Sequence, residues 1–131
     1  MTRLLVLLAA CAHARAPAPI ANNAGVADSR PGHIEGTMTD LASGDALAGA
    51  TIVVSKEHEE PRDNSAVISG GDGRWRTPSL AAGRYTVVVY YADYQVEIAG
   101  VIVKPGETAV VDYKLDESIR SGDVIKNTWR P

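Results

Sequence analysis

With 131 residues, the chain has room for one domain once processing segments are set aside. Thirteen basic residues against sixteen acidic ones give a net charge of −3, and no cluster of Lys or Arg stands out, which argues against nucleic acid or an anionic lipid surface as a partner. The lone cysteine, Cys11, lies far from the rest of the pattern, so the folded part has no disulfide and must be stabilised by packing.

The first elements are addresses. Met1-Thr2-Arg3 supplies one positive charge and Leu4 to Ala10 an apolar run of seven, too short to span a bilayer, so residues 1–10 read as an export signal. Leu8-Ala9-Ala10-Cys11 resembles the lipobox of bacterial lipoproteins, in which the cysteine becomes the lipid-bearing N-terminus. That resemblance implies a membrane partner reached through Cys11. Ala12 after the cysteine implies, by similarity to proteobacterial lipoproteins, outer-membrane sorting with the domain in the cell envelope. Ala12-His13-Ala14 and Ala14-Arg15-Ala16 also fit the small-x-small site of ordinary secretion, and of the two routes the lipobox is favoured. Residues 11–32 are rich in Ala, Pro, Asn, Gly and Ser and offer too little apolar surface to offset the entropy of ordering, so they read as a tether. Pro17, Pro19 and Pro31 argue against an edge strand there.

From His33 the texture changes to period-two alternation broken by turn residues every eight to twelve positions. Ile34 and Met38 share a face of the first predicted strand; Ala50, Ile52 and Val54 share one of the second, after Ser43-Gly44-Asp45. Residues 57 to 65 read as a charged loop. Ala66 to Ile68 is the third strand, and Asp72-Gly73 predicts a tight hairpin into a fourth, Arg74 to Thr77. Tyr85 to Tyr91 is the fifth, and the turn Ala92-Asp93 leads to a sixth, Tyr94 to Val103, bent at Gly100. After Pro105-Gly106 the seventh alternates along its length, with Ala109, Val111, Tyr113 and Leu115 on one side. The predicted inward set is Ile34, Met38, Leu47, Ile52, Val54, Trp75, Leu80, Tyr85, Val87, Val89, Val96, Ile98, Val101, Val103, Val111 and Leu115. The tail, residues 117–131, carries scattered apolar groups including Trp129, and serves either as a docking arm or as a flap over its own domain.

The order Gly36-Thr37-Met38-Thr39-Asp40, Leu47-Ala48-Gly49-Ala50-Thr51-Ile52, Asp72-Gly73-Arg74-Trp75, Leu80 with Gly83-Arg84-Tyr85, Tyr94 and the closing Val110 to Leu115 resembles the carboxypeptidase regulatory-like domain over residues 33–116. The resemblance implies an all-β fold, the seven-stranded Greek-key sandwich of transthyretin (prealbumin). It also implies a non-catalytic accessory module. One departure is Asp93, where the family usually places Gly, which touches the turn geometry alone.

No catalytic constellation emerges from the sequence. Beyond the export signal and tether the histidines are His33 and His58. A site resembling hydroxyisourate hydrolase needs several His and Arg and a terminal Tyr-Arg-Gly-Ser, whereas this chain ends Asn127-Thr128-Trp129-Arg130-Pro131. An intradiol-type iron site needs paired Tyr and His, and a carboxypeptidase zinc site needs His-x-x-Glu; neither histidine fits. Lys56 to Asp63 reads as a solvated charged loop, not a metal site. An isopeptide bond resembling that of collagen-adhesin repeats has no lysine in His33 to Asp40 to start from. No cofactor and no metal is implied. The residues singled out for recognition are Tyr90, of outward parity, Tyr94 at the following turn and Trp129 in the tail, whose aromatic faces can stack on polysaccharide or on an envelope protein. The sequence therefore points to a non-catalytic, envelope-anchored interaction module, with a carbohydrate-binding accessory domain as the alternative.

Overall fold

A computed structural model of the chain describes residues 28–60 and 66–131. The export signal, Cys11 and most of the tether lie outside the described residues, as does the middle of the 57–65 loop. The described chain is all-β, with nine strands: β1 (His33–Asp40), β2 (Thr51–Lys56), β3 (Ala66–Ile68), β4 (Arg74–Arg76), β5 (Gly83–Tyr91), β6 (Tyr94–Val103), β7 (Thr108–Val110), β8 (Tyr113–Leu115) and β9 (Val124–Thr128). They form two layers. One sheet runs β4-β1-β7 with β8 also on β1, and the other runs β3-β2-β5-β6-β9.

Alternation puts the predicted side chains between the layers. Ile34, Met38, Ile52, Val87, Val89, Val96, Val101, Val103 and Leu115 are fully enclosed, and Ala50 and Ala109 join them. Leu80 is the exception in the predicted inward set. It is partly buried because it bridges to Gly32 at the end of the sandwich, where water reaches one side. Among the described residues two polar side chains are buried, and both are bonded: Ser69 Oγ donates to the Leu47 carbonyl at 2.8 Å and accepts from the Ala50 N–H, while Thr77 Oγ1 accepts from the Ile34 N–H. The inward parity switches within β6, from Val96 and Ile98 to Val101 and Val103, because two residues of β6, Ala99 and Gly100, oppose one of β5. This bulge is the bend predicted at Gly100.

Two expectations change. Asp72-Gly73 makes the expected tight turn, closed by backbone bonds from Gly73 to Gly70 and from Gly70 to Arg74, but the strands it joins go to different sheets, β3 to β2 and β4 to β1, so it is a corner between the sheets and not a two-stranded hairpin. Trp75 causes the difference. Its indole must lie in the core, and it finds room opposite Gly36, where any Cβ would collide with the Val111 carbonyl and the indole edge. Gly73 supplies the positive φ of 78° that the corner requires.

The predicted seventh strand is broken into β7 and β8, both parallel to β1. Between them the Asp112 carboxylate accepts the Thr37 N–H at 3.0 Å, taking the place of a ladder carbonyl. Counted as one broken strand, β7 and β8 make seven strands within residues 33–116. The remaining strand, β9, comes from the tail and lies parallel to β6. The tail is thus a flap built as a strand.

Candidate functional site

The outer face of the five-stranded sheet carries three of the exposed large apolar groups, Ile68, Tyr90 and Val124, in an ordered row. Register pairs Ile68 with Thr51, Thr51 with Tyr90, Tyr90 with Gln95, and Gln95 with Val124. One line of side chains therefore crosses all five strands. Ile68 is 68% exposed, Tyr90 44% and Val124 42%, and no charged residue interrupts the line. The neighbouring row is Ala66, Val53, Val88, Glu97 and Lys126, with its charges confined to the β6-β9 side. At about 4.8 Å per strand the line is roughly 19 Å long. Its chemistry is one aromatic face flanked by a hydroxyl and an amide, with an aliphatic group at each end.

The opposite face of the sandwich is mostly polar, with Val110 exposed among its charges. There Glu35, Thr37, Arg74, Arg76 and Asp112 line an open groove of ≈ 540 Å³ in which Arg76 lies 4.0 Å from Glu35. Such an exposed pair contributes little to stability.

The three aromatics predicted as ligand-facing occupy different places. Tyr90 faces solvent, as its parity requires. Tyr94 shares the inward parity of Val96, packs against the core, and donates its hydroxyl to the Glu117 carbonyl at 2.7 Å. Trp129 packs against the core from the tail, and its indole N–H donates to the Val110 carbonyl at 2.8 Å. It closes the open side between β6 and β7. The residues that complete the Tyr90 row, Ile68, Thr51, Gln95 and Val124, were not singled out in the sequence. Parity alone could place Ile68 and Thr51 outward, but which strands lie side by side is a long-range property.

Elsewhere the polar chemistry is structural. The Tyr85 hydroxyl donates back to the Ala81 carbonyl four residues earlier, resembling the tyrosine corner of β-sandwiches. Burial, then the nearby Glu59 carboxylate, pushes its phenol above the ordinary tyrosine value, and burial does the same for Tyr113. The Ser43 N–H and hydroxyl bind the Asp40 carboxylate and hold its pKa below the usual carboxylate range. The Trp75 indole N–H is buried without a hydrogen-bond partner among the described residues. Among those residues no group of three or more His, Cys, Asp or Glu is placed to hold a metal ion, and no helix is long and apolar enough to cross a membrane.

No curated protein sequence matches the chain. Solved structures share its fold. The TIE protein of Bacillus anthracis is 20% identical with a TM-score of 0.52, covering 65% of this chain and 17% of that one. A "putative carbohydrate binding protein" of Bacteroides uniformis is 21% identical with a TM-score of 0.51, covering 65% of this chain and 41% of that one. The 5-hydroxyisourate hydrolase of Klebsiella pneumoniae is 16% identical at a TM-score of 0.42, covering 62% and 84%. The chain therefore spans less than half of either of the first two. The model of the carboxypeptidase regulatory-like domain matches residues 33–116. That span holds the whole seven-stranded core with its corner at Gly73 and its Trp75–Gly36 packing, and the chain belongs to the carboxypeptidase regulatory-like domain family.

Proposed function

We propose that the chain is a non-catalytic interaction module, exported and held in the bacterial envelope by a lipid on Cys11, which presents the outer face of its five-stranded sheet to an envelope protein. The observation that carries this reading is the uncharged row Ile68-Thr51-Tyr90-Gln95-Val124 on a sheet face with nothing packed over it among the described residues. Central aromatic anchors with aliphatic neighbours are the usual source of binding energy at protein interfaces. Family membership supports an accessory role, and the lipobox-like Leu8-Ala9-Ala10-Cys11 supports anchoring at the outer membrane or the periplasmic face, against simple secretion. The test is chemical cross-linking and capture with the full chain in its native envelope. Ile68→Asp and Tyr90→Ala are each expected to lower capture of a specific partner at least about tenfold, while Lys114→Glu on the other sheet leaves it unchanged. Capture that survives both face substitutions overturns the reading. Cys11→Ser is expected to move the chain from the membrane fraction to the soluble one.

A second reading, a carbohydrate-binding accessory domain, is favoured by the Thr51 hydroxyl and Gln95 amide on either side of the Tyr90 ring, since sugars offer a CH face to stack and hydroxyls to bond. A glycan array probed with residues 12–131 separates the two. Binding lost in Tyr90→Ala selects the carbohydrate, and an empty array removes it.

A further inference from the structure

The sandwich is complete before its last strand is added. Among the described residues every buried core side chain lies between Ile34 and Leu115, and the family match ends at residue 116. β9 adds the partly buried Ile125 with Trp129 just beyond it, while its other residues are exposed. What holds β9 is a backbone ladder in which Gln95 to Ala99 pair with Val124 to Thr128. The Trp129 N–H bonds to the Ala99 carbonyl at 2.8 Å, and its indole bonds to the Val110 carbonyl. β6 would otherwise present a bare edge, and an unpaired edge is a template for another strand. An edge with a slot for an indole beside it is a strand acceptor, and each chain carries the donor that fits it. The connection between donor and body is bonded mostly to itself. Ser118 bonds to the Asp116 carboxylate and Ile119 to the Asp116 carbonyl, and two bonds tie the connection to the β5-β6 turn: the Tyr94 hydroxyl donates to the Glu117 carbonyl at 2.7 Å, and the Gly122 N–H makes a long bond of 3.3 Å to the Asp93 carbonyl. It carries no buried side chain, so it can open at the loss of those two bonds.

We propose that the tail is an exchangeable strand: β9 of one chain adds to β6 of a second copy, and the reverse, in a closed two-fold dimer. A second copy is the occupant because complementarity to its tail is already realised in every chain, and reciprocal exchange leaves no edge open for further growth. Exchange reproduces the same contacts, so the balance is set by concentration. A tail on a short flexible connection competes at an effective concentration on the order of millimolar. Dilute chains are monomers with the tail at home, and crowded chains exchange. The inference stands apart from the reading of the Tyr90 face, and its test does not touch that face.

Ala99 and Thr128 are register partners in the parallel pair, at a spacing a disulfide can bridge. In full chains carrying Cys11→Ser, one preparation takes Ala99→Cys and another Thr128→Cys. The two are mixed, opened in urea, refolded together at about 1 mM and oxidised. The expected product is a disulfide-linked dimer whose linked peptide joins positions 99 and 128, at least tenfold above a Lys114→Cys with Thr128→Cys mixture and absent after refolding at a thousandfold dilution. A single chain carrying both cysteines is expected to close internally at that dilution. If it closes internally while the mixed chains give no 99–128 link at high concentration, exchange does not occur. If it fails to close, the tail does not lie on β6 and the proposal falls with it.

Discussion

β5 and β9 belong to the same sheet, yet they are held by different physics. β5 is central, with Tyr85, Val87 and Val89 buried on one face and hydrogen-bonded neighbours on both sides. β9 sits at the edge, shows no buried alternation, and is fixed by backbone bonds, the partly buried Ile125, a long Asn127–Tyr113 bond and one indole. A strand of the first kind is specified by its own residues. One of the second kind is specified by the vacancy beside which it lies, because backbone N–H and C=O groups are the same in every residue.

The two kinds of strand should fail differently. The largest effect is expected from the core. Trp75→Ala removes a side chain only 4% exposed and should cost about 3–5 kcal/mol, lowering the urea midpoint for every probe at once, including one placed on β9. If β9 alone responds, the body does not carry the tail. Trp129→Ala comes next, since it loses one hydrogen bond and a partly buried ring, about 1–2 kcal/mol. Hydrogen exchange should then show faster amides in Val124 to Thr128 and their β6 partners, while Ile52 and Val89 keep their protection. Uniform loss across both regions would mean that body and tail open as one unit.

Two smaller effects sharpen it within the body. Ala92 takes the positive φ of 51° in the β5-β6 turn, a region that favours glycine. Ala92→Gly should therefore raise stability by about 0.5 kcal/mol after the added chain entropy is offset. A lower midpoint would mean that the turn is not strained. The last effect is alkaline. Burial disfavours the phenolates of Tyr85 and Tyr113, so the folded chain holds those protons more tightly than the unfolded chain does. Their contribution is fully present below the ordinary tyrosine pKa near 10 and is lost as pH rises through the raised folded values. The urea midpoint should stay level from pH 8 to about 10 and fall beyond it, less steeply in Tyr85→Phe. A level midpoint to pH 11.5 would contradict the burial of these rings.

Much of the body was legible because alternation is local. A residue's parity along a strand follows from its own chain, so Val87, Val89, Val96 and Leu115 could be placed inward, and Tyr90 outward, without knowing any neighbour. Even the bulge in β6 was foreshadowed, since Gly100 is where the apolar positions change parity. The corner at Gly73 was less legible. An Asp-Gly pair serves a hairpin and a corner equally well, and the choice depended on Trp75 reaching Gly36 on β1. The break in the seventh strand was hidden for a similar reason: Asp112 fits an outward position of a continuous strand as readily as it caps the Thr37 N–H. Tyr94 looked like a turn aromatic free to bind, although its parity with Val96 already pointed inward.

By itself the sequence determined a β-sandwich, its inward side chains and its family, since all of these rest on a two-residue period and turn chemistry that each segment carries alone. The tertiary structure decided which strands became neighbours. That choice assembled Ile68, Thr51, Tyr90, Gln95 and Val124 into one line and laid the tail along β6. Pairing between strands joins residues far apart in the chain through backbone groups common to all of them, so it is settled by the competition among whole sheets and not by the identity of any one side chain.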